Sequence, residues 1–261
     1  MKLLYELAEI NYSKMLSFSL SNEPLADRII IRRLEQARKL LPKANLLVNT
    51  NGDYLTREYL EALRMAGLSS LKIQQYFEKK EQFSKEAVFA KINKTAAKLG
   101  LEYVVSSPRL YYGQWYEVRF LYEGMKIISY GRDFDENGHH RGGLIDIGPK
   151  RPRSAPCLYP FRDFSVHYDG SVTPCCNLRP DAPEHKKHIV GNIGNKTIFE
   201  IYAASDMVNW RKQLFNYAPK KTDVCVNCDF ETEQYDGFTQ KDYFEKYARF
   251  KCINNEKEIA L

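Results

Sequence analysis

Cysteine is missing from the first 156 residues of this 261-residue chain. That absence excludes a disulfide framework or a thiolate metal site from more than half of the sequence. Equally absent is any run approaching the ~20 apolar residues that a bilayer-spanning helix needs, so no membrane partner is expected. The first residues, Met-Lys-Leu-Leu-Tyr-Glu-Leu-Ala-Glu, place Glu6 and Glu9 where a secretory leader would be apolar, which points to the cytoplasm. The net charge of +6 is modest for the length and comes without a clustered basic stripe, so nucleic acid is not an expected partner either. There is no internal repeat and no low-complexity tract. What remains is an ordinary globular composition, long enough for one large domain or for one medium and one small.

The cysteines that are present begin at Cys157, and five of the six fall between Cys157 and Cys228. In a reducing compartment such clustering favours a metal over disulfides. Cys225-Val-Asn-Cys228 alone is a two-thiolate chelate loop, suited to zinc, to iron–sulfur or to a redox dithiol. Cys157 and Cys175 flank a hairpin whose strands, Phe164–Tyr168 and Ser171–Thr173, are joined by Asp169-Gly170, a strong turn signal. Four cysteines from these two places satisfy either a tetrathiolate zinc site or one 4Fe–4S cluster, and spacing alone does not separate the two. Cys176 and Cys252 read as packed free thiols.

Upstream, helical and strand periods alternate. Helices are expected over 3–12, 26–41, 59–66 and 84–99, the last with Ser84 as N-cap and Gly100 as C-cap. Strands are expected at Met15–Leu20, Leu46–Val48, Leu71–Gln74 and Tyr103–Val105, which implies βαβ units and a parallel sheet. From Pro108 the rhythm changes, with period-two strands at Trp115–Tyr122 and Met125–Tyr130 around a Glu123-Gly124 turn. Residues 132–156 read as a polar connection, with His139 and His140 in solvent, and place the domains at 1–148 and 149–261. In the C-terminal part, Thr197-Ile-Phe-Glu200 fits a capping box, Ser205 starts another helix and Thr239 opens a last one.

Cys157, Gly170 just before Cys175, Gly191-Asn-Ile-Gly194, a helix carrying Trp210-Arg211, and Cys225-x-x-Cys228 together resemble the SPASM domain, the auxiliary iron–sulfur module of radical S-adenosylmethionine (SAM) enzymes. The N-terminal half is similar to the barrel of the same enzymes: Ser21-Asn22-Glu23-Pro24 follows a strand and precedes a helix, as does the Gly-Gly-Glu-Pro loop that holds the amino group of SAM, and Thr50-Asn51-Gly52 follows the next strand. The resemblance implies an α/β fold, a partial (β/α)6 barrel lacking its first strand, followed by a small α+β iron–sulfur domain. It implies Asn22, Glu23 and Asn51 at SAM, and Cys157, Cys175, Cys225 and Cys228 on a single auxiliary 4Fe–4S cluster. It also implies a peptide substrate, or a small molecule, and an electron-donor protein.

One departure matters. The family's Cys-x-x-x-Cys-x-x-Cys motif, which holds the cluster that cleaves SAM to the 5′-deoxyadenosyl radical, is not in this sequence. The leading expectation is a radical enzyme whose sequence begins after that motif, leaving Met15–Leu20 as an unpaired edge. The rivals are a degenerate family member that carries electrons or binds a partner, and a structural zinc protein. Lys72, Gln74, Tyr76 and Ser106 near strand ends read as routine barrel residues.

Overall fold

The computed structural model describes residues 1–78, 81–106, 115–147, 157–215 and 223–228. The helix expected from Thr239 and Cys252 lie outside them. The chain divides into two compact units, Met1–Gly138 and His139–Leu261, and each is described by itself.

The first unit opens with α1 (Lys2–Glu9), β1 (Met15–Ser17), α2 (Ile29–Leu40), β2 (Asn45–Thr50), α3 (Arg57–Met65), β3 (Ser70–Gln75) and α4 (Lys85–Leu99). It continues through β4 (Tyr103–Val105), β5 (Trp115–Phe120) and β6 (Lys126–Arg132) to a one-turn helix, α5 (Phe134–Asn137). Local chemistry explains the boundaries. Thr56 and Ser84 accept from the backbone N–H three residues on, capping α3 and α4, and Gly100 takes the left-handed conformation that ends α4.

The six strands form one sheet in the order β1-β2-β3-β6-β5-β4. β1, β2, β3 and β6 run parallel, while β5 runs antiparallel to both β6 and β4. The βα alternation expected from the sequence is therefore present up to β3. Beyond it the place beside β3 goes to β6, and Tyr103–Val105 sits at the far edge. The Glu123-Gly124 turn accounts for the antiparallel pair, because so short a connection cannot return a strand in the parallel sense. β1, three residues long, is the opposite edge.

Side chains alternate across the sheet. On one face Leu46, Val48, Leu71, Ile73, Val118 and Ile127 are fully buried. They lie with the apolar stripes of the helices: Ile30, Leu34 and Ala37 of α2, Tyr59, Leu60 and Leu63 of α3, Val88, Ile92 and Leu99 of α4. The other face carries Asn49, Lys72, Gln74, Glu117 and Tyr130 together with the buried Leu47 and Ile128, a more polar set than the first face. Gln74 accepts from the Tyr130 hydroxyl at 2.9 Å, and Trp115 stacks flat on Tyr130 with centroids 4.6 Å apart. Tyr76 is exposed, and Ser106 extends the ladder by donating its N–H to Glu117.

The second unit comprises α6 (Tyr159–Arg162), β7 (Ser165–Val166), β8 (Ser171–Thr173), β9 (Gly191–Asn192), α7 (Ile198–Ala203) and α8 (Ser205–Phe215), with β7, β8 and β9 forming a small antiparallel sheet. Thr197 and Glu200 make the capping box of α7 reciprocally. The buried residues Val172, Leu178, Val190, Ile201, Met207, Trp210 and Leu214 form its core.

Helix-to-sheet spacing in the first unit is set at Gly131, where an added Cβ would stand 2.7 Å from Val88 Cγ2. Gly131→Ala should therefore destabilise the protein by about 1–3 kcal/mol through overpacking. Val88→Ala in the same chain should recover part of that loss. Urea-unfolding midpoints of the two single variants and the double variant check this.

Candidate cofactor sites

In the first unit the loops that leave β1 and β2 on the C-terminal side of the sheet are tied together by one carboxylate. Glu23 caps the 3-10 turn Pro24–Ala26 by accepting from the Leu25 N–H at 3.0 Å. The same oxygen, Oε1, accepts from the Thr50 hydroxyl at 2.6 Å, and Oε2 accepts from the Asn51 N–H at 2.9 Å. Thr50 Oγ1 in turn accepts from the Gly52 N–H at 3.0 Å. Three donors leave acceptor capacity on a carboxylate, so Glu23 can hold both loops and still meet a cationic group.

Asn22 and Asn51 are partly committed to their own turns. Asn22 Oδ1 accepts from the Leu20 N–H at 3.1 Å; Asn51 Oδ1 accepts from the Asp53 N–H at 3.0 Å and its amide donates to Asp53 at 2.7 Å. The Glu-Pro and Thr-Asn-Gly motifs, read separately in the sequence, are thus one hydrogen-bonded assembly.

In the second unit a different set of motifs converges. The Asp169-Gly170 turn needs its glycine, which has φ of +81°. Asn192 braces that turn: its amide donates to Asp169 O at 3.1 Å and its Oδ1 accepts from the Gly194 N–H at 2.7 Å. At Gly191 a Cβ would stand 2.8 Å from the Ile201 side chain, so β9 can lie against α7 only with glycine there. Arg211 is buried and donates to the carbonyls of Pro160 and Tyr202, fastening α8 to α6 and α7.

These braces set the sulfurs. Cys157 is buried in the core cluster, and Cys175, Cys176 and Cys225 pack against it. Cys157 donates its N–H to Leu214 O at 3.0 Å, and the Cys225–Cys228 turn closes by Cys228 N–H to Cys225 O at 3.1 Å. Cys175 is held through its backbone: His167 Nε2 lies 2.8 Å from Thr173 Oγ1, which donates to Cys175 O at 3.0 Å. Because the Thr173 hydroxyl spends its proton on that carbonyl, His167 must be the donor in this relay. The Asn177 N–H approaches Cys175 Sγ at 3.4 Å.

The electrostatics follow from the crowding. A hydrogen bond shared with Cys176 pushes the Cys175 pKa well up, and burial and the neighbouring Cys176 and Cys157 sulfurs add to it. The same shared bond lowers Cys176, with help from Tyr159. Thiols so close cannot all ionise unless a cation is supplied. Among the described residues no three His, Cys, Asp or Glu side chains converge on a single ion position. A cubane does not require such convergence, since each of its irons takes its own thiolate.

The donor chemistry of Cys157, Cys175 and Cys225, which meet at one core cluster, is compatible with an iron–sulfur cluster; Cys228 lies outside that core cluster. The sequence reading of Cys176 as a packed free thiol holds, although it did not show which sulfur of the vicinal pair faces the core. Nor did it find the His140–Gly143 turn. His140 is half-buried rather than in solvent, and its Nδ1 accepts from the Gly143 N–H at 2.8 Å. The next residue, Arg141, has φ of +51° and reaches Cys176 O at 3.5 Å.

Residues 157–229 match the family model described as SPASM, an iron–sulfur cluster-binding domain. The match covers the cysteine-bearing part of the second unit. Among characterised proteins the chain is similar to the S-adenosyl-L-methionine-dependent 2-deoxy-scyllo-inosamine dehydrogenase of Niallia circulans. The two are 25% identical over 239 residues, 90% of this chain and 82% of the relative. The fold is shared with BtrN crystallised with AdoMet and 2-DOIA (TM-score 0.64, 23% identity, 90% of this chain and 82% of that one). It is also shared with BtrN in an open conformation (TM-score 0.59, 18% identity, covering 93% and 81%).

Two outcomes follow. Glu23→Gln replaces an acceptor by an amide that must face either the Asn51 N–H or the Leu25 and Thr50 donors. It should cost about 1–3 kcal/mol, read as a lowered urea midpoint. Burial pushes the His167 pKa down, outweighing the nearby Asp169 carboxylate. The unfolded chain therefore binds the proton more readily than the folded one. Stability should be full above the unfolded value of about 6.5 and fall as pH drops below it. His167→Gln should flatten that part of the urea-midpoint profile.

Proposed function

We propose that this chain is the cofactor-holding part of a SAM-dependent radical dehydrogenase acting on a small polar molecule. Cys157, Cys175, Cys225 and Cys228 hold one auxiliary 4Fe–4S cluster, and Asn22, Glu23 and Asn51 seat the SAM amino group. The observation that carries the reading is the gathering of Cys157, Cys175 and Cys225 in one core cluster, within a segment matching an iron–sulfur domain. A small molecule is favoured over a peptide because the similar dehydrogenase is named for 2-deoxy-scyllo-inosamine and BtrN was crystallised with 2-DOIA.

When bound, the cluster supplies a one-electron relay, and a small electron-donor protein is its natural partner. The protein's own residues do the positioning. The His167–Thr173 relay fixes the backbone of Cys175, a backbone bond closes the Cys225–Cys228 turn, and Arg141 places a cation by Cys176. In the first unit, Glu23 faces an ammonium with acceptor capacity left over from its three donors. Asn22 and Asn51 flank it on turns that are already closed, so little entropy is lost on binding. The sequence holds no Cys-x-x-x-Cys-x-x-Cys, and hydrogen abstraction is not assigned to any of its residues.

Protein purified without oxygen should contain about four irons and four sulfides per chain and absorb as a brown chromophore. Cys157→Ala and Cys228→Ala should each lose most of both. A colourless protein with stoichiometric zinc, or less than about one iron per chain, overturns the reading.

A further inference from the structure

At the opposite end of the sheet from Glu23, the loops that feed β3 and β6 and leave β5 line an open cavity of about 500 Å³. Four of its ten lining residues are cations, Arg38, Arg64, Arg119 and Lys126, and none is a carboxylate. The four differ in what they can still do.

Arg38 is locked. Its guanidinium donates to the carbonyls of Leu41, Pro42, Ala44 and Gly67 and to Ser69 Oγ at 2.7–3.3 Å, which uses all five N–H groups. It contributes a fixed positive charge in the wall and no free donor. Arg64 meets Glu61 at 3.1 Å, but Glu61 also serves Arg57 at 3.1 Å, so one carboxylate is divided between two guanidinium groups. Arg119 and Lys126 are exposed and make no ion pair among the described residues. Tyr122 adds a hydroxyl to the wall; burial and then the Glu61 carboxylate raise its pKa, so it keeps its proton.

Glu61 offsets part of this excess, and the rest gives the pocket a positive field that favours an anion. Two free donor groups, one a planar fork and one a compact ammonium, suit the oxygens of a phosphate group. We propose that this cavity is an oxyanion site for a small phosphate or diphosphate ligand, with Arg119 and Lys126 as its direct donors. The site lies within the first unit and is independent of the iron–sulfur reading. Both side chains are exposed and make no side-chain ion pair among the described residues, so replacing them should leave the fold intact.

The test is calorimetric titration of the full chain with inorganic pyrophosphate at constant ionic strength. Saturable one-site binding is expected. Arg119→Ala with Lys126→Ala should weaken it at least about tenfold. The paired change Lys85→Ala with Lys94→Ala, on the exposed side of α4, should alter it by less than about twofold. ADP binding as tightly as pyrophosphate assigns the site to the diphosphate itself, and tighter ADP binding extends it to a nucleotide. Absence of saturable binding, or equal weakening by the two paired changes, overturns the proposal. Thermal unfolding of each variant confirms that the fold is retained.

Discussion

Crowded sulfur is the constraint on which the C-terminal unit depends. Cys157, Cys175, Cys176 and Cys225 are drawn to one apolar cluster. Burial and mutual proximity keep a thiol such as Cys175 protonated. Such an arrangement is a poor way to fill a core, since smooth aliphatic packing would be more stable and chemically inert. It makes sense when a cation-rich group takes the protons' place, because then the same proximity that opposes ionisation becomes the geometry of ligation. The surrounding motifs serve that geometry. Asn192 braces the Asp-Gly turn, Gly191 admits Ile201, and Arg211 fastens α8 to the segment after Cys157.

The N-terminal unit is organised around a charge instead. Glu23 gathers three donors from two loops, Leu25 two residues on and Thr50 and Asn51 27 and 28 residues on. A carboxylate in that position is both structural and available, and the two roles reinforce each other. The loops are already tied together, so under the proposed function a ligand cation would meet an anion whose position needs no further adjustment. The sheet makes this possible by ending β1 and β2 side by side in parallel register, which brings the two loops to the same edge.

Local features were legible from sequence because their causes are local. Ser84 and Gly100 bound α4, Thr197 and Glu200 make a capping box, and Asp169-Gly170 turns a hairpin, each through bonds spanning a few residues. The candidate ligands were legible for a related reason: sulfur is scarce in this chain, so its clustering stands out. The strand order was not legible. Periodicity finds Tyr103–Val105 as a strand, yet whether it or Lys126–Arg132 lies beside β3 depends on pairing energies between residues far apart in sequence. The environment of His140 was missed likewise, because a polar, glycine-rich loop looks solvated until a partner such as His185, bonded to Gly142 O at 3.1 Å, encloses it.

By itself the sequence determined where candidate ligands stand: thiols at 157, 175, 225 and 228, a carboxylate at 23, and turns that only glycine closes. Those are properties of side-chain chemistry and of backbone dihedrals, and they hold in any fold. Tertiary structure decided which of them meet. It placed Cys176 in the same cluster as Cys157 and joined Glu23 to Thr50 and Asn51. At the far end of the sheet it left Arg119 and Lys126 around a cavity that no motif announces. Such meetings come from long-range packing, where the free energy lies in contacts between segments and no short stretch of sequence contains it.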